Sequence, residues 1–259
     1  MSLVLIDHRD MIGTITFNND KKRNCLSQAL LEKVLAALRE FKQQKTRVLI
    51  LRANKGAKVW SAGLDIQELP RPGRDPLSYN DPLEQVIRAI QRFPAPVIAM
   101  IEGTVWGGAC DLSFICDILV GTHTTSFTMT PAKVGIPYNS SGILHFINTV
   151  GLHIAKEMFF TAQPIKAERA LELGILNHLV PIEEFEEFTW QMARHITENS
   201  PLSISVIKEQ LRLLASSYPL SPETFERIQG LRRQVYDSKD YLEGKSAFLE
   251  KRAPVFKGE

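Results

Sequence analysis

Two glycine-centred turns constrain this chain more than any other feature. One is Trp60-Ser61-Ala62-Gly63-Leu64-Asp65-Ile66; the other is Glu102-Gly103-Thr104-Val105-Trp106-Gly107-Gly108-Ala109-Cys110-Asp111. Each follows an apolar run that reads as a strand, and each leads into a candidate helix. Glycine lets the backbone take positive φ or approach a ligand closely. A helix opening near Gly107 aims free N–H groups and the positive end of its dipole at the turn. Two main-chain N–H groups, one per turn, can then meet at one carbonyl oxygen, the geometry that stabilises an enolate or another oxyanion. One such turn alone reads more simply as tight strand–helix packing. A pair, both at strand ends, favours the functional reading.

Strands and helices alternate around these turns. Residues 3–7 and 11–17 read as two short strands joined by a tight polar turn, and residues 18–24 as a polar, basic loop. Ser27 can cap a helix in which leucines 30, 31, 35 and 38 recur at helical spacing. Residues 48–51, 97–101 and 118–120 are continuous apolar runs, as in buried strands. Residues 70–82, rich in proline, glycine and charge, read as a long surface loop of the kind that covers a site. Residues 152–160 and 165–173 read as helices, the second closed by Gly174 and followed by a strand over 175–180. The pattern predicts an α/β core over residues 1–195. After Phe185 only helical periodicity remains, with candidates at Phe185–Glu198, 201–214 and Pro222–Tyr236. Residues 196–259 therefore read as a C-terminal helical region that packs on the core or on a neighbouring subunit.

Composition narrows the function classes. The formal net charge is +2 with both signs interleaved, which points to neither nucleic acid nor a membrane surface as partner. No apolar stretch is long enough to span a bilayer, and no signal peptide is visible at the N-terminus. Cys25, Cys110 and Cys116 are odd in number and lack CxxC spacing, which fits a reduced, cytoplasmic compartment. The chain has no GxSxG elbow, no P-loop and no HExxH pair, and its six histidines show no metal-ligand spacing. A lone His145 or His153 on a helix reads as a surface or satisfied core residue.

A few side chains near the turns can carry chemistry. Asp111 lies three residues past Gly108, about one helical turn on. It reads either as a general acid or base, or as a helix-start carboxylate stabilised by the dipole. Asp65 reads as the carboxylate that holds its own turn together. Tyr138 sits in Gly135-Ile136-Pro137-Tyr138-Asn139, where Pro137 stiffens the backbone. Its phenol can donate one hydrogen bond to a substrate carboxylate while its ring stays apolar, or it is a packing tyrosine. Thr130 and Asn139 offer weaker polar contacts. Lys21, Lys22 and Arg23 form a basic loop suited to phosphate, or a solvated turn, and Lys251 with Arg252 permits the same two readings.

At the two turns the chain resembles the crotonase (enoyl-CoA hydratase/isomerase) superfamily, whose oxyanion-hole motifs the Ser61-Ala62-Gly63-Leu64-Asp65-Ile66 and Trp106-Gly107-Gly108-Ala109-Cys110-Asp111 segments match. The resemblance continues through Gly174-Ile175-Leu176-Asn177 to Ser246-Ala247-Phe248-Leu249-Glu250-Lys251-Arg252. It implies a spiral of ββα units, a C-terminal helical trimerisation region, and a homo-trimer or hexamer. Within the superfamily the chain is similar to members that decarboxylate malonyl-type acyl-CoA thioesters. The matching stretches are Gly73-Arg74-Asp75-Pro76-Leu77-Ser78-Tyr79, Met129-Thr130-Pro131 and Gly135-Ile136-Pro137-Tyr138-Asn139.

By that resemblance, Leu64 and Gly108 supply the oxyanion-hole N–H groups, Tyr138 holds the substrate carboxylate, and Thr130 lies nearby in the pocket. Ala62, Gly63, Asp65 and Ile66 fall on the adenine-contacting loop. Lys22 and Arg23 fall on the first CoA-contacting loop, and Lys251 reaches the CoA phosphates, often those of a neighbouring subunit. Leu64 stands where those decarboxylases carry histidine, and Asp111 where a glutamate is usual. Hydratases place water with two glutamates, and the second aligns here with Pro131, which cannot do acid–base work. The implied reaction is decarboxylation of a malonyl-type acyl-CoA, foremost methylmalonyl-CoA to propionyl-CoA and CO₂, with no cofactor beyond the CoA of the substrate. Enoyl-CoA isomerisation or acyl-CoA hydrolysis with Asp111 as base stays open, as does a non-catalytic acyl-CoA-binding oligomer.

Overall fold

A computed structural model of the chain describes residues 2–71, 73–217, 219 and 221–259. The N-terminal apolar runs form an antiparallel hairpin, β1 (Val4–Arg9) and β2 (Ile12–Phe17), in register from Val4↔Phe17 to Arg9↔Ile12. Asp10 and Met11 between them both take positive φ, 51° and 63°, as a two-residue hairpin turn that follows strand twist requires. Ser27 caps α1 (Gln28–Gln43) by accepting from the Leu30 N–H at 3.4 Å, and Leu30, Leu31, Val34, Leu38 and Phe41 form its buried face.

Three ββα passes follow. They are β3 (Val48–Ala53), β4 (Val59–Ser61) and α2 (Pro82–Gln91); β5 (Val97–Ile101), β6 (Thr104–Trp106) and α3 (Gly108–Phe114); and β7 (Ile118–Gly121), β8 (Ser126–Thr128) and α4 (Ser140–Thr161). The first strand of each pass enters a larger sheet and the second a smaller one. With β9 (Ile165–Lys166) and β10 (His178–Leu179), the orders are β1-β2-β3-β5-β7-β10 and β4-β6-β8-β9 among the described residues. β2, β3, β5, β7 and β10 run parallel, so both faces of the sheet need cover and the strands read as unbroken apolar runs. α1 and α2 cover one face. α6 (Phe185–Glu198) covers the other, packing Phe185 and Ala193 with Ile12, Val48, Ile50, Ile98 and Met100. Residue 195 thus falls inside a helix that belongs to the sheet.

The α/β architecture agrees with the sequence reading; several element bounds do not. The helix read at 152–160 is the second half of α4, which is kinked at Gly151 (φ 75°, ψ 166°). Its first half begins with Ser140, Ser141 and Gly142, poor helix formers that Asn139 rescues by capping the Gly142 N–H. The stretch read as one helix over 165–173 is the two-residue β9 and then α5 (Ala167–Glu172), because Ile165 pairs with Phe127 at the edge of the smaller sheet. Of the strand read at 175–180, only His178–Leu179 pairs. The 70–82 loop is irregular up to the start of α2, and Pro72 within it lies outside the described residues.

α7 (Pro201–Ala215), α8 (Pro222–Tyr236) and α9 (Lys239–Glu250) complete the chain, each N-capped by a serine side chain: Ser200, Ser221 and Ser238. α9, which the sequence reading missed, folds back on the core. Its Tyr241 hydroxyl donates to the Pro70 carbonyl at 2.9 Å and Lys245 Nζ to the Leu69 carbonyl at 2.7 Å. No helix of the described residues is long and apolar enough to cross a membrane.

Candidate active site

The two glycine turns abut at the C-terminal ends of β4 and β6. Gly63 has φ +79°, and a methyl group there would stand 2.4 Å from the Trp106 carbonyl oxygen and 3.2 Å from the Gly108 nitrogen. Only glycine allows so close a crossing. Leu64 follows Gly63 and bridges to Leu26, while Gly108 opens α3. Among the described residues, neither the Leu64 N–H nor the Gly108 N–H donates a hydrogen bond. Both residues line one cleft of about 900 Å³. Unpaired main-chain donors side by side on a cleft wall can receive an oxygen that gains negative charge.

The same cleft gathers most of the sequence-predicted residues. Ala62, Asp65, Ile66, Thr130 and Tyr138 line it, and Lys22, Arg23 and Lys251 stand at its basic rim. Gly63 lies behind the wall as a spacer. Lys251 reaches the cleft of its own chain, because α9 ends there and Lys251 caps it at φ 57°. Asp65 accepts from the Gln67 N–H at 3.1 Å and lies 3.9 Å from Lys22 Nζ, so it ties its own turn to the basic loop. Burial and then the Asp65 charge push the nearby Cys25 thiol up to about 11, which keeps it protonated.

Tyr138 closes the far wall, its ring packed against Phe159 (centroids 5.4 Å) and edge-on to Phe146 (6.3 Å). Its hydroxyl donates to Asp111 Oδ2 at 3.0 Å. Burial, followed by the Asp111 charge, raises its pKa well above the ordinary phenol value. Asp111 is fully buried, does not line the cleft, and has its other oxygen 2.7 Å from His145 Nδ1. It therefore faces Tyr138 and His145 rather than the cleft. Gly142 makes this cluster possible: a methyl group there would stand 2.2 Å from Tyr138 Cε1 and 2.7 Å from Asp111 Oδ2.

Beside Asp111 lies Glu84, buried on α2, which accepts from the Asn139 amide and, at 3.4 Å, from Ser141 Oγ. Burial and the Asp111 charge raise its pKa. Asn139 is thus a structural bridge between α2 and α4. His145, Glu84, Leu77 and Phe248 were not singled out from sequence as site residues. They come from α4, α2, the 70–82 loop and α9, and no local spacing joins them. Among the described residues, no group of three or more His, Cys, Asp or Glu side chains is placed to hold a metal ion.

The chain thus combines paired ββα passes, abutting glycine turns with free amides, and a basic-rimmed cleft. The family model for enoyl-CoA hydratase/isomerase matches residues 7–259, and the chain belongs to that family. It is 52% identical over 247 residues to methylmalonyl-CoA decarboxylase of Escherichia coli (strain K12), covering 95% of each chain. A solved structure of methylmalonyl-CoA decarboxylase in complex with 2-nitronate-propionyl-CoA superposes with a TM-score of 0.97 at 50% identity, covering 99% of both chains. Another, complexed with 2S-carboxypropyl-CoA, gives 0.97 at 50% identity over 100% of this chain and 99% of that one.

Proposed function

We propose that this chain is an acyl-CoA decarboxylase that converts methylmalonyl-CoA to propionyl-CoA and CO₂. The observation that carries the reading is the cleft, with free amides of Leu64 and Gly108 on one wall and the Tyr138 phenol on another. End-to-end similarity at 52% identity to a methylmalonyl-CoA decarboxylase supports it, as do ligand-bound structures of such an enzyme.

The thioester carbonyl oxygen lies between the Leu64 and Gly108 N–H groups. As the bond from Cα to the carboxylate breaks, its electron pair enters the carbonyl π system and the charge collects on that oxygen. Losing one such donor costs about 3–4 kcal/mol of barrier. Tyr138, its O–H turned from Asp111 to the substrate, and Thr130 hold the carboxylate out of the thioester plane, so that the breaking bond overlaps the π system. CO₂ departs neutral, and one proton added at Cα of the enolate completes propionyl-CoA. Lys22, Arg23 and Lys251 hold the CoA phosphates, and Ala62, Asp65 and Ile66 contact the adenine. The thioester carbonyl itself accepts the electron pair, so this route uses no prosthetic group, and CoA enters as part of the substrate. Pro131 lines the cleft where, by the family resemblance, a hydratase places a glutamate, and Asp111 is withdrawn behind Tyr138, so neither position offers a base for enoyl-CoA hydration or isomerisation.

The enzyme acts as a homo-oligomer, a trimer or hexamer, in the cytoplasm. α7 supports the first part: it buries no residue, and Leu202, Leu211 and Leu214 are 74%, 63% and 73% exposed. Three buried, unpaired cysteines support the second. Light scattering on the eluting protein checks the assembly. Incubation with methylmalonyl-CoA, with CO₂ and propionyl-CoA followed by mass spectrometry, tests the reaction. Absence of turnover with retained CoA affinity would sink the decarboxylase in favour of a binding protein.

A further inference from the structure

Asp111 and His145 form a buried pair that the decarboxylation scheme leaves unused. Asp111 is fully buried, and each of its oxygens meets one donor, Tyr138 Oη at 3.0 Å and His145 Nδ1 at 2.7 Å. An ionised carboxylate only accepts, so the His145 contact requires a hydrogen on Nδ1. The far nitrogen of the same ring, Nε2, is 2.9 Å from the Gln91 side-chain amide on α2. The imidazole is therefore gripped at both ends, and it grips Asp111 in turn. Tyr138 is the member that reaches the cleft, and its hydroxyl oxygen is held in place by the carboxylate behind it.

We propose that His145 is a positioning residue: acting through Asp111, it fixes where the Tyr138 hydroxyl stands on the cleft wall. Removing one bonded partner of a buried carboxylate leaves that carboxylate free to turn, and its second donor turns with it. The arrangement follows the logic of outer-shell partners that orient a working side chain. It also accounts for Gly142, since any side chain there would occupy the space where Tyr138 and Asp111 meet.

The inference rests on the decarboxylase reading for its kinetic test but not for its spectroscopic one. The whole enzyme is made with His145→Leu, which removes the donor, and with His145→Asn, which returns an N–H near the Nδ1 position. In His145→Leu, kcat falls about 10- to 100-fold, as misplacement of about 1 Å can cost, while KM changes less than about threefold. His145→Asn recovers most of kcat. With ¹³Cζ-labelled tyrosine, the Tyr138 resonance, assigned by its loss in Tyr138→Phe, shifts in His145→Leu and returns towards the wild-type position in His145→Asn. A folded His145→Leu enzyme with wild-type kcat and an unmoved Tyr138 resonance overturns the inference. So does His145→Asn as defective as His145→Leu in both readouts. If wild-type protein does not decarboxylate methylmalonyl-CoA, the decarboxylase reading falls, and the resonance alone decides the role of His145.

Discussion

The two working walls of the cleft are built from different materials. One is main chain: the Leu64 and Gly108 amides, held in place by the crossing of Gly63 over Trp106. The other is side chain: Tyr138, backed by Asp111, His145 and Gln91, drawn from a loop and three helices. The main-chain wall depends on backbone shape and is indifferent to side-chain identity at 64. The side-chain wall depends on a bonded series in which each member fixes the next. Damage to the first wall therefore spreads sterically, and damage to the second through hydrogen bonds.

The strongest way to break this contrast is Gly63→Ala. A methyl 2.4 Å from the Trp106 oxygen forces the two turns apart. Expected are a loss of kcat of about 10³-fold, the size of a removed oxyanion donor, and a lower melting temperature; initial rates and thermal circular dichroism measure both. Next is Tyr138→Phe, which keeps the ring and deletes the O–H. Decarboxylation should fall about 10²-fold, close to 2.7 kcal/mol of barrier, with acyl-CoA affinity by calorimetry nearly unchanged. Unchanged turnover would remove Tyr138 from the chemistry.

Smaller effects test the rim and the support. Lys251→Ala should weaken CoA binding about three- to tenfold, and the loss should shrink as salt is raised, because a rim charge is screened. His145 gives a pH signature. Burial lowers its pKa, but the Asp111 hydrogen bond and charge, with the Glu84 charge, outweigh burial and hold it above its ordinary value of 6.5. A raised folded-state value means stability that is complete below pH 6.5 and lost as pH rises through the folded value. The melting difference between wild type and His145→Asn should thus be largest in acid and diminish towards alkaline pH. A constant difference would assign His145 no titrating role. The smallest effect belongs to Leu64→Ala. The amide survives the substitution, so kcat should stay within about threefold. A collapse in rate with an intact fold would show that the Leu64 side chain does more than line the cleft.

The same contrast explains what could be read from sequence. The main-chain wall was legible because glycine at a strand end is a local signal, and two such signals about forty residues apart matched one known pattern. The parallel strands were legible because burial on both faces leaves unbroken apolar runs such as Val48–Ala53. Asp111 and Tyr138 could be named, but not their bond. His145 looked like an ordinary helical histidine, because its meaning comes from α3 and α2 packing against α4. The first half of α4 was missed since Ser140, Ser141 and Gly142 weaken its local propensity, whereas Gly142 is there for the space it leaves. α9 was missed for a related reason: much of its hold is on carbonyl oxygens at residues 69 and 70, which no side-chain pattern records.

Those two hydrogen bonds, from Tyr241 and Lys245 of α9, make the C-terminal helix and the segment after the first glycine turn a single mechanical part. One lip of the cleft cannot shift without straining the other. If product release needs both lips to move, solvent friction limits turnover, and kcat should drop in proportion to added sucrose viscosity.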